Sequence, residues 1–383
     1  MKKKLSQKEN SKNAWLLGSS SFFNDIGGEM IVPLLPFYVL ALGGGGISIG
    51  LLSGLREGLS SIFKIFGGWI SDETGKRKPL IFFGYLISSI FKLFIAAASS
   101  WQSLIAFISL ERFGKFRDAP RDAIISVDTK HSGRNLGLNQ SLDVLGGIMG
   151  TLIVLFLFWK FQMETKTILY LAACISFLSI IPVFFVKEQK FKPVKISLLK
   201  ELGFFNPKLK YFLLVSSVFS FANFGLYLFL LLMAKEATGS VTMSFVYYII
   251  FNAIYALLLI PFGSLSDRIG SKKILIAGYS IFFLLTLWLF FFTNARFILP
   301  IFVAYGIVCA MNYSSHRGFV LKLSDSMKGT AFGAFYTFTG IASVVGGTIA
   351  GIFWDASPKM MFGYISFIAF IAIIMLCFAR EKS

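Results

Sequence analysis

Charged side chains that interrupt long apolar stretches are the residues of this sequence best suited to chemistry. Asp25 and Glu29 lie four residues apart and therefore share one face of a helix. Arg56, Arg112 and Asp143 interrupt three further stretches. Counted at about 1.5 Å per residue from the ends of their stretches, Glu29 and these last three lie in the middle third of a membrane-spanning helix. Charges at that depth are costly, so they usually have a partner and a function.

These five charges permit two kinds of behaviour. In one, they form a network of carboxylates and arginines in which one acid takes up and releases a proton. Burial favours the neutral form of a carboxyl group, whereas an arginine stays charged. In the other, they form static ion pairs that only hold helices together. We favour the first, and the sequence leaves both open.

Long apolar segments supply the elements that hold these charges. The chain has 383 residues, of which 56% are hydrophobic and 45 are phenylalanines. A helix needs about 20 apolar residues to cross a bilayer, and we therefore predict an all-α membrane protein with twelve transmembrane helices. The expected spans are roughly 14–42, 47–71, 79–99, 101–127, 135–159, 167–186, 210–234, 242–266, 274–293, 297–321, 329–354 and 358–379.

The positive charges lie mainly on one side of this arrangement. The termini and the even-numbered loops hold 24 lysines and arginines, whereas the odd-numbered loops hold five. The positive-inside rule then places both termini in the cytoplasm of a multi-pass protein of the cell membrane. The net charge of +18 belongs to loops beside a lipid bilayer, so we expect no nucleic-acid partner. The longest connection, 187–209, is the predicted cytoplasmic linker between domains at 1–186 and 210–383.

One loop sequence occurs twice, 195 residues apart. Both copies read glycine, two residues, serine and aspartate, then two residues, glycine and cations, after an apolar span. The aspartates end their spans, and the second glycines permit a tight turn. The cations hold that turn in the cytoplasm. The residues concerned are Gly68, Asp72, Gly75, Lys76 and Arg77 in the first copy and Gly263, Asp267 and Gly270 in the second.

Other positions also recur at nearly the same interval. Asn24 corresponds to Asn223, and Arg121 corresponds to Arg317. The chain is therefore expected to form two pseudo-symmetric six-helix bundles. Parallel repeats of this kind place a substrate site at their interface near the bilayer midplane. The candidate cavity residues are Asn24, Asn223, Tyr227, Tyr255 and Asn312.

The duplicated loop resembles the signature loop of the major facilitator superfamily, between the second and third helices. The resemblance implies that Asp72 and Lys76 belong to a charge relay that gates the cytoplasmic side. The first copy departs from the family pattern at Glu73 and the second at Ser271, where a cation is usual. Two copies half a chain apart are more specific than one.

The fourth and first spans resemble a group of largely uncharacterised prokaryotic permeases of this superfamily. Arg112 matches the family's proton-coupling arginine, and Arg117, Arg121 and Asp122 lie near the cytoplasmic surface. The last three are candidates to pair with Asp72 and Lys76 and latch the gate. In the fifth span an acid, Asp143, replaces the proline of the antiporter pattern, which leaves the direction of transport open.

The sequence thus predicts a secondary transporter that works by alternating access, with proton-coupled export of a small organic or drug-like solute preferred. A nutrient symporter or an uncoupled facilitator is the alternative, and a membrane-embedded sensor without transport is a remote one. No nucleotide-binding loop, nucleophile set or metal-ligand spacing is present in the sequence. We therefore expect no enzyme activity and no cofactor. The expected partners are the solute, protons and lipid, with the chain as a monomer.

Overall fold

A computed structural model describes residues 7–126, 132–187, 205–292, 297–324 and 328–379 of the chain. These residues are helical almost throughout. The helices are α1 (Gln7–Ile31), α2 (Leu35–Ala41), α3 (Gly46–Thr74), α4 (Lys78–Ala96), α5 (Trp101–Phe113), α6 (Asp118–Ile125), α7 (Ser132–Phe161), α8 (Thr165–Phe177), α9 (Ile180–Phe184), α10 (Pro207–Ala222), α11 (Tyr227–Thr238), α12 (Val241–Ile269), α13 (Ser271–Phe291), α14 (Ile298–Leu323), α15 (Lys328–Ala356) and α16 (Pro358–Phe378).

Each of the twelve expected spans corresponds to one helix or to a helix with an interruption, which confirms the predicted all-α class. The first span comprises α1, a 3-10 turn at Val32–Leu34 and α2. Pro33 lies in that turn, because proline has no N–H to continue an α-helix. The fourth span changes to a 3-10 turn at Gly114–Arg117 between α5 and α6. The seventh breaks between α10 and α11, where Gly225 has φ of +96°.

Judged by length and composition alone, nine helical stretches among the described residues are long and apolar enough to cross a membrane. The expected spans outside that set are the first, second and fourth. These contain charges that lower their apolar character, among them Asp25 and Glu29, Arg56 and Lys64, and Arg112. The spans with the least apolar sequences are therefore those that hold most of the candidate charges.

The chain divides into two compact units. Unit 1 comprises Met1–Tyr38 and Leu59–Ile196, and unit 2 comprises Val39–Gly58 and Ser197–Ser383. Helix α3 contributes its first part to unit 2 and the remainder to unit 1. Residues 188–204, which include most of the predicted linker, lie outside the described residues. The domain limits 1–186 and 210–383 stay a prediction.

Close helix packing organises the core of each unit. In unit 1, α1 packs along α7 and α8, and α4 packs between α5 and α8. A β-carbon on Gly146 of α7 would lie 2.6 Å from the carbonyl oxygen of Phe22 in α1, so only glycine permits this approach. In unit 2, Gly346 of α15 lies in the same way against the backbone of Phe221 in α10. These contacts agree with the packing role expected of glycines in membrane helices.

Lysines at the start of two equivalent helices hold the ends of two others. The Lys78 Nζ in the first turn of α4 donates to the carbonyl oxygens of Phe184 and Val186, at 2.8 Å each, just where α9 ends. The Lys272 Nζ in the first turn of α13 donates to the carbonyl oxygen of Cys377 at 2.8 Å, at the end of α16. Each lysine satisfies carbonyls that a helix end leaves without intrahelical partners.

Candidate functional site

The two copies of the repeated loop end their helices in the same way. Helix α3 ends before Gly75, which has φ of +65°, and α12 ends before Gly270, which has φ of +101°. The Gly75 N–H donates to the Ser71 carbonyl at 3.0 Å, and the Gly270 N–H donates to the Ser266 carbonyl at 3.1 Å. Glycine adopts positive φ without the steric penalty that other residues pay. The repeated glycines are therefore required by the turn.

The first glycine of each copy faces an equivalent neighbour. A β-carbon on Gly68 would lie 3.4 Å from the Ala119 β-carbon in α6, and one on Gly263 would lie 3.7 Å from the Ser314 Oγ in α14. Ala119 and Ser314 are themselves 195 residues apart, the same interval as the loop copies. The repeat therefore extends from sequence to tertiary contact.

The charges of the first loop pair within unit 1. Asp72 Oδ1 lies 3.7 Å from Arg77 Nη2, and Arg77 Nη1 donates to the Ala123 carbonyl of α6 at 3.3 Å. The Lys76 side chain is exposed. Asp267, the equivalent acid of the second copy, is also exposed. Arg77 thus ties the loop to α6, at the end of the fourth span.

Arg117 points into the core of unit 1. It is 1% exposed and donates to the carbonyl oxygens of Gly114 at 2.9 Å and Gly84 at 3.4 Å. Its guanidinium carbon lies 4.3 Å from the centre of the Tyr85 ring. A cation over an aromatic face is stabilised by the ring quadrupole. The cation therefore anchors the 3-10 turn of the fourth span to α4.

Arg121 connects three elements of unit 1. It donates through Nε to Asp122 Oδ1 at 2.9 Å and through Nη1 to the hydroxyl of Ser21 in α1. The same Nη1 lies 3.7 Å from Asp143 Oδ2 in α7. Asn139 of α7 also donates to Asp143 Oδ2, at 3.2 Å. The structure thus joins Arg121, predicted at the gate, to Asp143, predicted in the central network.

The remaining central charges have their own neighbours. Arg112 Nε lies 2.6 Å from Glu111 Oε2. Asp25 Oδ1 accepts a hydrogen bond from the Asn24 amide at 3.4 Å. Glu29 is half-buried in α1, beside Gly147 and Gly150 of α7.

Arg56 is 8% exposed and lies in the part of α3 that belongs to unit 2. The five charges are therefore shared between the two units, with four of them in unit 1. The sequence located these charges along the chain, but their contacts come from the fold.

A buried lysine is the group that sequence reasoning did not include in the site. Lys92 of α4 is 1% exposed, and its Nζ donates to the Asn24 carbonyl at 2.8 Å, to Asn24 Oδ1 at 3.1 Å and to Ser176 Oγ at 2.8 Å. The Ser88 hydroxyl donates to Glu111 Oε1 at 2.6 Å and lies 3.2 Å from Asn24 Oδ1. We call Asn24, Ser88, Lys92, Glu111 and Ser176 the lysine cluster. Its sequence signal is a serine four residues before a lone lysine in an apolar span.

The candidate cavity residues of unit 2 lie among aromatic rings. Asn223 Oδ1 accepts from the Tyr305 hydroxyl at 2.9 Å, and Asn312 is 3% exposed beside Gly278. Tyr227 and Tyr255 are half-buried. Their ring centres lie 6.3 and 6.5 Å from that of Phe251. Asn24, the fifth candidate, belongs to the lysine cluster of unit 1.

Equivalent positions differ in charge between the units. In unit 1, Lys92 of α4 donates to Ser176 of α8. In unit 2, the residue 194 positions after Lys92 is Thr286, and it accepts from Ser366 of α16 at 3.1 Å. Arg117 beside Gly84 similarly corresponds to Asn312 beside Gly278. The two units thus keep equivalent contacts, which involve a charged residue in unit 1 and neutral residues in unit 2.

Known proteins share both the sequence and the fold. An uncharacterized transporter of the MFS type from Methanocaldococcus jannaschii is 40% identical over 382 residues, which cover 97% of this chain and 96% of the relative. The multidrug resistance protein MdtG of Klebsiella pneumoniae is 29% identical over 294 residues, or 73% of this chain and 70% of MdtG.

Two solved structures have the same fold. One is a point mutant of the nucleoside transporter NupG, with a TM-score of 0.82 and 14% identity, covering 96% of this chain and 100% of NupG. The other is a bacterial homolog of the human lysosomal transporter Spinster, in an inward-facing and occupied conformation. It has a TM-score of 0.78 and 15% identity, covering 98% of this chain and 97% of the homolog.

The family pattern described as Major Facilitator Superfamily matches residues 17–254 and 211–383, so nearly the whole chain is included. This match and the 40% identical relative confirm the predicted family and a multi-pass membrane transporter. They also confirm that the protein is not an enzyme, since the family consists of transporters. With its duplicated loop, its paired glycine turns and its repeated helix contacts, the chain belongs to the major facilitator superfamily.

Proposed function

We propose that the protein is a proton-coupled secondary transporter that exports a small organic solute by alternating access. The observation that carries this proposal is the Arg121–Asp143 pair, a titratable acid held by an arginine at the meeting of α1, α6 and α7. In unit 2 the arginine recurs as Arg317, but the position equivalent to Asp143 holds the neutral Ser343. Proton chemistry therefore belongs to unit 1.

The pair offers a way to link a proton to helix movement. When Asp143 is ionised, its carboxylate attracts the Arg121 guanidinium and joins α6 to α7. When it binds a proton, this attraction is lost, and Arg121 keeps Asp122 and Ser21 as partners. An ion pair in a low-dielectric interior depends strongly on the charge of each partner. Protonation thus releases α7 from the fourth span.

We propose that the other charges of the predicted network act together with the Arg121–Asp143 pair. Asp25 and Glu29 belong to α1, which packs on α6 and α7, whereas Arg112 belongs to α5, which packs on α4, and Arg56 belongs to α3. The cytoplasmic gate comprises the loop pair Asp72–Arg77 with Lys76, and the second copy at Asp267. Arg77 contacts the Ala123 carbonyl, so a shift of α6 is passed to the loop.

Export is favoured over uptake by the similarity to MdtG proteins, which are named for multidrug resistance. We further propose a location in the cell membrane with both termini in the cytoplasm, on the strength of the lysine and arginine distribution. We also propose that the chain acts as a monomer. Protons and the solute are its partners.

Proteoliposomes with an imposed pH gradient test the proposal, and Asp143→Asn is the informative variant. Solutes from a broad panel are added, and the collapse of the gradient is followed with a pH-sensitive dye. We expect at least one solute to collapse the gradient through the wild-type protein. Asp143→Asn leaves a neutral side chain, so it should move the solute without collapsing the gradient.

Asp122→Asn is the matched control, because Asp122 also pairs with Arg121 but has a half-exposed side chain. It should leave proton coupling intact. Solute flux that never affects the gradient would instead identify an uncoupled facilitator. If no solute moved, the proposal that the protein transports organic solutes would be wrong.

A further inference from the structure

The break between α10 and α11 in unit 2 is held by a side chain from α3. The Ser53 hydroxyl donates to the Gly225 carbonyl at 2.6 Å and lies 3.1 Å from the Phe224 carbonyl. The chain turns at Gly225, where φ is +96°, and the Gly225 carbonyl also accepts from the Leu228 N–H at 3.4 Å. Irregular backbone at membrane depth occurs where protein buries it or where it lines a cavity. The break is thus a position at which a ligand site can form.

Glycines fix the position of α3 beside this break. Gly50, Gly54 and Gly58 lie on one face of α3, and their missing β-carbons would meet the backbone of Gly347, Ser343 and Gly340 in α15. Small residues at every fourth position permit this close approach. The residues between these glycines therefore have fixed directions, and among them is Glu57.

Glu57 points to the broken segment with its carboxylate exposed. A β-carbon on Gly225 would lie 3.6 Å from the Glu57 Cγ, so the stem of Glu57 packs on the turn. Its Oε1 accepts from the Tyr227 hydroxyl at 3.4 Å. The side chain itself is exposed.

Glu57 is also the acid at mid-helix depth in the described part of unit 2. The other acids there are Glu236, Asp267 and Asp355, all close to helix ends. Asp355 accepts from the N–H groups of Gly46 and Ile47 at 2.5 and 3.0 Å, so it caps α3. A carboxylate at membrane depth is a functional-site candidate.

Aromatic rings continue from Glu57 along α12. Tyr248, Phe251 and Tyr255 share one face of that helix by their spacing. The Tyr227 ring centre lies 5.9 Å from that of Tyr248, and the Tyr305 ring centre lies 5.3 Å from that of Phe251. Phe251 and Tyr305 are buried, whereas Tyr227 and Tyr255 are half-buried. The accessible rings thus belong to Tyr227 and Tyr255.

We propose that Glu57, Tyr227 and Tyr255 form a binding site for an organic monocation with an apolar body. The carboxylate balances the positive charge, and the ring faces attract it further. Mostly apolar sites with a few placed polar groups are typical of small-molecule recognition. The substrate class of the proposed exporter follows from this site, so the inference rests on the proposed function.

The end of the aromatic series far from Glu57 indicates that the ligand carries only one positive charge. The Tyr255 ring lies 6.1 Å from that of Tyr313, and the Arg317 guanidinium carbon lies 4.1 Å from the centre of the Tyr313 ring. A second cationic group at that end would meet the charge of Arg317. The site therefore favours one cationic centre near Glu57 and a neutral body beside Tyr255.

Two probe ions of equal size and opposite charge test the site. Tetraphenylphosphonium and tetraphenylborate share shape and apolar surface, and neither titrates. Binding is measured by isothermal calorimetry on the full-length protein in nanodiscs, with empty nanodiscs subtracted. We expect the wild-type protein to prefer the cation. Glu57→Gln should bind it at least tenfold more weakly, with unchanged affinity for the anion.

Further variants separate charge from folding. Glu57→Asp keeps the charge and should keep the preference for the cation. Tyr227→Leu removes the ring face and should weaken cation binding about threefold to tenfold. Glu236→Gln, near the end of α11, is the control and should bind as the wild-type protein does.

The inference is overturned if wild-type protein does not prefer the cation, or if Glu57→Gln binds it as tightly as the wild type. Organic solute flux in proteoliposomes, together with either result, would leave the proposed export function in place and remove the cation site. Cation binding that depends on Glu57, without any solute flux, would support the site and remove the export function.

Discussion

At the scale of single residues, the buried Lys92 ammonium donates three hydrogen bonds, at 2.8, 3.1 and 2.8 Å. Its three hydrogen-bond partners come from α1 and α8, while the lysine itself belongs to α4. Glu111 joins the same cluster through Ser88. A buried ammonium is retained only where oxygens replace its water shell. The cluster therefore ties three helices of unit 1 together.

Replacing Lys92 by methionine tests this role. The change keeps an apolar stem of similar length but leaves the Asn24 carbonyl and Ser176 without their donor. Hydrogen bonds to charged groups contribute about 1.5–3 kcal/mol each, so we expect a fall of several degrees in Tm. Thermal unfolding in detergent, followed by intrinsic fluorescence, measures it.

Lys160→Met is the control for Lys92→Met, because Lys160 lies exposed in the last turn of α7. Its Tm should match that of the wild-type protein. An unchanged Tm for Lys92→Met would mean that the cluster does not stabilise unit 1.

At the scale of elements, the glycine face of α3 sets how that helix packs in unit 2. Gly54 shows the constraint clearly, since a β-carbon there would be 2.6 Å from the Val344 Cα of α15. Protein interiors are closely packed, so neither backbone gives way without cost. The same face fixes the direction of Glu57.

Gly54→Ala should therefore destabilise the protein and weaken its binding of tetraphenylphosphonium. Overpacking of a closed contact typically costs about 1–3 kcal/mol. Tm and the dissociation constant of the cation, measured on one preparation, record both effects. Gly137→Ala in α7 is the matched control, since a β-carbon there would meet nothing within 4 Å. If Gly54→Ala behaved like that control, the packing argument would fail.

The sequence was sufficient for the elements but insufficient for the pairing of charges. Span positions follow from apolar length and from loop cations, which are local signals, and the turn at Gly75 follows from its repeat at Gly270. Arg121 and Asp143 are partners only because α6 and α7 meet in space. The Lys92 contacts likewise join residues 68 and 84 positions apart. Such contacts depend on how each helix is rotated about its own axis. The hydropathy of the sequence does not determine that rotation.

At the scale of the whole molecule, the distribution of lysine and arginine predicts the orientation in the membrane. Cytoplasmic loops of membrane proteins retain these residues, and the excess of 24 over five is large. A C-terminal fusion to green fluorescent protein should fluoresce, whereas a C-terminal fusion to alkaline phosphatase should be inactive. A fusion to alkaline phosphatase after residue 163, in the third odd-numbered loop, should be active. The reverse pattern would invert the topology and the assignment of the gate.

The matching contacts of the two units, Lys92 with Ser176 and Thr286 with Ser366, have an evolutionary meaning. They are what gene duplication leaves behind when both copies keep an ancestral helix arrangement and only one keeps its ionisable groups. Under the proposed mechanism, the copy without these groups takes no part in proton binding. Changes in its aromatic residues then alter the substrate and leave proton binding in the other copy unchanged. When duplicated halves have different functions in this way, the protein can change its substrate specificity while its coupling residues stay the same.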